Sequence, residues 1–225
     1  MEKLYISGVP LIKTQTDERI SYMKSGKLYC NKLSFYRDLE NEEGDTIVGD
    51  AFEATIPVRH AYIYMPEEDM VKEIKDTLIP TSWSDDYVFC MTGIKPSIIS
   101  DNNETKILCD DIDSFGQKSL LIRDSYEFIK NVKKSAIKFG YEVKYGFVKY
   151  YDEKVDNIDM ISSLIQHTSN IAFWKRKRYE VQNEFRFVFH GDNSKDYLEL
   201  PVEGLKELSK VMPNEKMKRA FIKKG

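Results

Sequence analysis

The segment at residues 182–190, QNEFRFVFH, restricts the fold of this chain more than any other segment does. In a β-strand, successive side chains point to opposite faces. One face of the predicted strand is mostly aromatic and belongs in a core: Asn183, Phe185, Phe187 and Phe189. The opposite face is mostly polar: Gln182, Glu184, Arg186, Val188 and His190. Because the phenylalanines anchor the strand, the polar face is held rigidly, as a functional site requires.

A purely structural interpretation explains the same pattern. An antiparallel strand commonly buries one face and leaves the other face in water. On that interpretation Glu184 and Arg186 form a weak surface ion pair. The strand pattern alone leaves both interpretations open.

The rest of the chain predicts strands and helices in an irregular order. Strands are predicted at 4–6, 27–31, 52–58, 61–65, 87–92, 119–122, 141–151 and near 198. Helices are predicted at 16–26, 67–78, 124–140 and 158–168, and loops at 38–50 and 95–106. This order favours an α+β fold: a single domain over 1–225 with a mixed, mostly antiparallel sheet and flanking helices.

The composition indicates a globular chain in the cytoplasm. Hydrophobic residues make up 41% of the 225 positions, which is ample for a core, and the net charge is only −3. No stretch reaches the length of a membrane span, and the start, MEKLYISGVP, lacks the apolar core of a signal peptide. We therefore predict a cytoplasmic protein without membrane association.

The cysteines agree with that placement. Cys30, Cys90 and Cys109 are odd in number and widely spaced. A disulfide framework or a zinc site would need paired or closely spaced cysteines. We therefore predict small buried side chains at these positions.

A basic run at residues 175–178, KRKR, follows Trp174. Arg176 and Arg178 can contact phosphate, and a tryptophan beside a basic run can stack on a base of single-stranded nucleic acid. The alternative is a solvated charged face, which is the more frequent role of such a run. The near-neutral net charge favours a compact target over long non-specific contact with nucleic acid.

The segment at 33–40, LSFYRDLE, contains a second group of candidates. Ser34 supplies a hydroxyl, Tyr36 an aromatic ring, and Arg37 a guanidinium that can bind phosphate in a bidentate manner. The structural alternative is a helical turn in which Phe35 packs on Tyr36 and Arg37 pairs with Asp38 or with the acidic loop that follows.

The carboxylates that follow suggest a third possibility. Asp45, Asp50 and Glu53 carry hard oxygen ligands that suit a divalent cation, although their spacing is not that of an EF-hand. The sequence has no motif of a metalloprotease, serine hydrolase, Rossmann nucleotide site or P-loop.

Two segments together resemble a known family. KSGKLYCNKLSFYRDLENEEGD with GDAFEA, followed far downstream by FWKRKRYEVQNEFRFVF, is similar to bacterial ADP-ribosyltransferase-like toxins, including CmdT-like and DarT-like members of phage-defence toxin–antitoxin systems. The triplet Gln182-Asn183-Glu184 resembles the Q-x-E motif that opens the catalytic strand in one class of these enzymes.

This resemblance implies an ADP-ribosyltransferase-like fold and NAD as a substrate. It implies that Glu184 is the catalytic carboxylate and that Gln182 orients or recognises the acceptor. The implied NAD contacts are Arg37 at the pyrophosphate, Ser34 and Tyr36 at the nicotinamide, and the backbone of Ile6 and Ser7 at the ring amide. The implied acceptor contacts are Trp174, Arg176, Arg178 and Arg186.

Three functions follow from these observations. The first is ADP-ribosyl transfer from NAD to a macromolecule, with nucleic acid favoured over protein, by a toxin or anti-phage effector that an antitoxin partner restrains. The second is a non-catalytic binding module on the same fold. The third is a metal-dependent nuclease that combines Asp45, Asp50 and Glu53 with Glu184.

Overall fold

The computed structural model describes residues 6–80, 85–99, 105–106, 110–155 and 157–222. Its strands are β1 Leu11–Gln15, β2 Lys27–Lys32, β3 Thr55–Met65, β4 Met70–Pro80, β5 Tyr87–Gly93, β6 Thr105–Lys106, β7 Lys118–Ile122, β8 Glu142–Phe147, β9 Lys149–Tyr151, β10 Trp174–Arg176, β11 Glu184–His190, β12 Tyr197–Pro201, β13 Ser209–Pro213 and β14 Phe221–Ile222. Its α-helices are α1 Asp17–Lys24, α2 Leu33–Glu43, α3 Ser125–Lys138, α4 Ile158–Gln166, α5 Leu205–Leu208 and α6 Asn214–Lys218.

These elements group into two compact units that alternate along the chain. The first unit consists of Met1–Asn31, Tyr87–Phe147 and Val181–Gly225. The second unit consists of Lys32–Asp86 and Val148–Glu180. The predicted domain at 1–225 spans both units.

The first unit is built on a large sheet. Its strands follow the order β12-β2-β5-β1-β7-β13, while β11 pairs with β5 on one side and with β8 on the other. The pairings of β11 with β5 and β8, of β7 with β1 and β13, and of β2 with β12 are all antiparallel. The predicted α+β class with an antiparallel sheet and helices is confirmed.

The core of this unit forms on the aromatic face of β11. Phe185, Phe187 and Phe189 are buried there, together with Phe128 and Val132 of α3. The rings of Phe128 and Phe187 meet edge to face, with their centroids 5.6 Å apart. The prediction that this face belongs in the core is confirmed.

Helix α3 forms for reasons that are local to its sequence. The Asp124 side chain accepts a hydrogen bond from the Glu127 N–H at 3.1 Å, which satisfies one of the free donors at the helix start. Val132 and Ala136, four residues apart on one face of the helix, are buried. Gly140 follows the last turn with a φ of 82°, a conformation in which glycine carries no side-chain penalty.

A buried polar network joins α6 to the sheet. Asn214 accepts a hydrogen bond from the Ser119 hydroxyl at 2.7 Å, and this hydroxyl also lies 2.7 Å from the hydroxyl of Thr14. The amide nitrogen of Asn214 donates to Asp113 at 3.0 Å and to the Gly116 carbonyl at 2.7 Å. Because Asn214 is only 2% exposed, these bonds replace the water that its amide loses.

The second unit contains α2, α4 and two small sheets. β3 and β4 form an antiparallel hairpin that pairs Thr55 with Pro80 at one end and Met65 with Met70 at the other. β9 and β10 pair in parallel, with Trp174 beside Lys149. No helix in the described ranges of either unit is long and apolar enough to cross a bilayer.

The predicted helix at 67–78 is wrong, because most of this segment is strand β4. Val71, Ile74 and Leu78 are spaced three and four residues apart, which imitates a helix. Pairing with β3 overrides that local period, since hydrogen bonds between the facing edges of the two strands stabilise the extended conformation along the hairpin.

Several predicted boundaries are also wrong. The predicted loop at 38–50 begins inside α2, which ends with Gly44 in a left-handed conformation. The predicted strand at 141–151 is divided between β8 and β9, which belong to different sheets, and the predicted strands at 52–58 and 61–65 are one strand, β3. Strands β1 and β13 were not predicted. The predicted strand at 4–6 and Cys109 fall mainly or wholly outside the described residues.

We expect Asn214→Ala to lower the free energy of unfolding by about 3 kcal/mol, because it leaves the Ser119 hydroxyl and the Gly116 carbonyl without their buried partner. Urea denaturation measures this change. Asn193→Ala, at an exposed position, is the control and is expected to change the free energy by less than about 0.5 kcal/mol. Equal effects of the two substitutions would contradict the network's role.

Candidate functional site

Strand β11 begins at Glu184, immediately after a residue in an unusual conformation. Asn183 has a φ of 45°, in the left-handed region that asparagine tolerates better than most residues. Its carbonyl accepts a hydrogen bond from the Gly93 N–H at 2.8 Å, which holds this bend against the end of β5. The bend connects the 3-10 helix Lys177–Gln182 to the strand.

This bend changes the predicted position of Gln182. We expected Gln182 and Glu184 on one face of a continuous strand, but the strand starts only at Glu184. The two-residue alternation of a strand requires an extended residue between them, and Asn183 is not extended. Strand geometry therefore does not place the Gln182 side chain beside Glu184.

Glu184 and Arg186 form a buried ion pair. The Nε of Arg186 lies 2.7 Å from the Oε2 of Glu184, and the two residues are 2% and 8% exposed, respectively. The prediction of a weak, solvated surface pair is therefore wrong. β11 is flanked by β5 and β8, and all its residues except His190 are buried.

Lys13 is a further charged residue near Glu184 that the sequence analysis missed. The register between β1 and β5 pairs Leu11 with Gly93 and Ile12 with Thr92, and the next residue, Lys13, donates from Nζ to the Cys90 carbonyl at 2.7 Å. Burial lowers the pKa of Lys13, while the nearby Cys90 and Glu184 act in the opposite direction. A lysine within the apolar strand LIKTQ was the signal that could have identified it.

Ser7 lies at the same end of the first unit's sheet as Glu184. Its N–H donates to the Arg123 carbonyl at 2.8 Å, and its carbonyl accepts from the Ser125 N–H at 3.0 Å. Ser7 is thereby fixed beside the end of β7. Because β5 and β1 lie between β11 and β7, Ser7 and Glu184 are not neighbours across adjacent strands.

Ser34, Tyr36 and Arg37 lie on α2 in the second unit. Ser34 donates to Asp85 from its backbone N–H and its hydroxyl, both at 2.8 Å. The Tyr36 ring meets Phe35 edge to face, and Arg37 lies 3.4 Å from Asp38. Positions 34 and 37 share a helix face, whereas position 36 does not. The contacts of Tyr36 with Phe35 and of Arg37 with Asp38 are those expected if this segment is a helical turn with a purely structural role.

Arg176 and Arg178 of the basic run bind carboxylates within the second unit. Arg176 donates from Nε to Asp50 at 2.7 Å and from a terminal nitrogen to Glu40, while Arg178 pairs with the other oxygen of Glu40. Arg176 is 6% exposed, so it is not part of a solvated charged face. The Tyr179 hydroxyl joins this cluster by donating to the Gly49 carbonyl at 2.7 Å.

Trp174 is packed in the interior of the second unit rather than exposed on its surface. It is 7% exposed, and its indole N–H donates to the Ser163 hydroxyl at 2.9 Å. The Nζ of Lys149 lies 5.0 Å from the centre of the ring system. The exposed face that stacking on a base requires is therefore absent at this residue.

The carboxylates of the nuclease hypothesis have other partners. Asp45 accepts from the N–H groups of Ile47 and Val48 at 2.8 and 3.0 Å, and Asp50 binds Arg176. Among the described residues, no group of three or more His, Cys, Asp or Glu side chains is placed to share a metal ion.

Comparison with protein-family models, with curated proteins and with solved structures found no match. Membership of the ADP-ribosyltransferase-like family therefore stays a prediction from the two segments that resemble it. Glu184 and Arg186 are the buried charged residues of β11.

We expect Arg186→Met to lower the free energy of unfolding by about 3 to 5 kcal/mol, because it leaves the Glu184 carboxylate buried without this partner. Combining it with Glu184→Gln is expected to recover part of the loss. The control is Lys134→Met, which removes one member of an ion pair whose side chains are 73% and 80% exposed and is expected to cost less than about 1 kcal/mol. Urea denaturation measures both changes. If Arg186→Met lowered the free energy of unfolding as little as Lys134→Met does, a buried pair would be contradicted.

A second prediction concerns acid stability. Burial by itself raises the pKa of Glu40. The hydrogen bonds from the Ala51 N–H and Arg178, together with the positive charge of Arg176, have the larger combined effect and hold this pKa below its ordinary 4.5. Ionised Glu40 therefore stabilises the fold above that value, and the stabilisation is lost as the pH falls through the lowered pKa. We expect the difference in unfolding free energy between the wild type and Glu40→Gln to shrink between about pH 6 and pH 3. A difference that stays constant in urea titrations would contradict this.

Proposed function

We propose that this chain is an ADP-ribosyltransferase that transfers ADP-ribose from NAD to a macromolecular acceptor. The observation that carries the proposal is the placement of Glu184 at the start of a central strand, with its carboxylate bound by Arg186 at 2.7 Å. This is the residue that aligns with the glutamate of the Q-x-E motif.

The chemistry of this reaction gives a fixed carboxylate a specific role. The bond between ribose C1′ and the nicotinamide nitrogen breaks, and its electron pair leaves with nicotinamide. Positive charge develops on the sugar until the acceptor atom bonds to C1′ and releases its proton. A carboxylate that faces this charge, and accepts a hydrogen bond from the ribose hydroxyl, stabilises the transition state more than the ground state.

The first unit supports that role by holding Glu184 rigidly. β5 and β8 flank the strand, Phe185 anchors it in the core, and Arg186 orients the carboxylate. Electrostatic stabilisation depends on groups that are already in place and need no reorganisation during the reaction.

The NAD contacts belong to the same proposal. Ser34 and Arg37 share a face of α2, and the proposal assigns Ser34 to the nicotinamide and Arg37 to the pyrophosphate. Tyr36, on another side of that helix, and Ser7, in the first unit, stay predictions. NAD itself supplies the activated glycosidic bond.

The acceptor class is open between nucleic acid and protein. Burial and existing bonds disfavour contact of Trp174 and Arg176 with nucleic acid, while the side chain of Arg178 remains 41% exposed beside Glu40. A cytoplasmic toxin or anti-phage effector with an antitoxin partner is the biological setting of this proposal.

One observation favours the alternative of a non-catalytic binding module. An oxygen of the Glu184 carboxylate is already bound by Arg186, and buried ion pairs also occur where they only support the fold. On this alternative, NAD neither binds nor reacts.

We expect the purified protein to transfer label from NAD to a component of a cell lysate, and Glu184→Gln to reduce the rate about 100- to 1000-fold. Nuclease or protease treatment of the product then identifies the acceptor class.

Glu203→Gln, which replaces an exposed carboxylate by the same amide, is the matched control and is expected to retain activity. The melting temperature of each variant separates loss of chemistry from loss of fold. Absence of both label transfer and an NAD-dependent thermal shift in the wild type would contradict the transferase and leave the binding module.

A further inference from the structure

The hairpin of β3 and β4 presents an unpaired strand edge. β3 and β4 form a sheet of their own, in which β4 bonds to β3 along one edge. Among the described residues, no strand pairs with the other edge of β4. From Val71 to Thr77 this strand is exposed apart from Ile74, which is half-buried. Such an edge carries unpaired backbone N–H and C=O groups, and these can pair with a strand of another chain.

Large apolar side chains of both strands are exposed near the turn of the hairpin. They are 44% to 64% exposed: Tyr62, Ile63, Tyr64, Met70 and Val71. An isolated two-stranded hairpin is marginally stable in water, and additional strands on its edge increase its stability. Exposed apolar groups on a long edge strand therefore indicate a surface that is covered in an assembly.

The charges on β4 identify the strand that complements this edge. Residues 72–76 read Lys-Glu-Ile-Lys-Asp, so the sign of the charge reverses about Ile74. In an antiparallel pair of two such strands centred on Ile74, Glu73 faces Lys75 of the second copy, and Lys75 faces its Glu73. Lys72 likewise faces Asp76 of the second copy. Opposite charges directly across a strand pair stabilise it, and like charges destabilise it.

We infer that β4 pairs with β4 of a second copy of this chain, in an antiparallel register centred on Ile74. The contact is two-fold symmetric, because the same residues face each other on both copies. It forms a four-stranded sheet in the order β3-β4-β4-β3, in which the two hairpin turns lie at opposite ends and Val71 of each copy faces Thr77 of the other. The residues of this contact are all different from those assigned to the proposed transferase function, so the two can be tested separately.

The pair Glu73–Lys75 is the decisive one. Within one chain Glu73 already lies 2.6 Å from His60 and 2.8 Å from Lys75, so its carboxylate is held at the exposed strand. Asp76 contributes less to a regular register, because its φ of 45° departs from extended geometry and its carboxylate binds Arg59 at 2.7 Å.

Charge reversal tests this register. Glu73→Lys alone and Lys75→Glu alone each place like charges opposite each other in both halves of the dimer. We expect the full-length wild type to sediment at twice its mass of 26.3 kDa and each single variant to self-associate roughly 10- to 100-fold more weakly. The double variant restores opposite charges and is expected to recover the dimer.

Mixing the two single variants gives a sharper result. A chain with lysine at both positions meets a chain with glutamate at both, so an equimolar mixture is expected to form a heterodimer that neither variant forms alone. Circular dichroism and thermal unfolding check that each variant is folded. A monomeric wild type at the highest soluble concentration, or a dimer that is insensitive to both reversals, would overturn the proposed contact.

Discussion

Burial of the phenylalanine face of β11 determines much of the first unit. Phe185 and Phe187 pack into the core against α3, and this fixes the register of the strand against β5 and β8. A strand has a period of two, so Glu184 and Arg186 must then occupy the opposite face. Because that face is also removed from water, two opposite charges spaced two residues apart pair with each other.

In the second unit, too, buried charged side chains pair with each other because they are removed from water. Arg176 is buried on a short strand, and its guanidinium binds Asp50 and Glu40, which come from the loop after α2 and from α2 itself. The cluster therefore holds the segment around Gly49 and Asp50 against β10. A run of four basic residues that reads as a solvated face is here partly an internal component of the fold.

A buried pair such as Glu184–Arg186 is compatible both with a catalytic role and with a purely stabilising role, and the physical reason is the same. Desolvation makes an unpaired charge costly, so the arginine that orients a catalytic carboxylate also stabilises it in the fold. Activity and stability therefore have to be measured separately at this site. By contrast, the charges of β4 lie on an exposed strand, where a substitution has little effect on the core.

The sequence alone determined those elements whose local pattern of residues agrees with the packing around them in the structure. The alternation of β11, the cap of α3 at Asp124 and the mixed α+β class follow from periodicity and capping, which depend on near neighbours. Tertiary structure decided what these patterns leave open. Pairing with β3 made 70–80 a strand, and both faces of β11, including the predicted polar face, are buried. The left-handed Asn183 separated Gln182 from the strand. In each case the deciding partner is far away in sequence, and local propensity carries no information about such contacts.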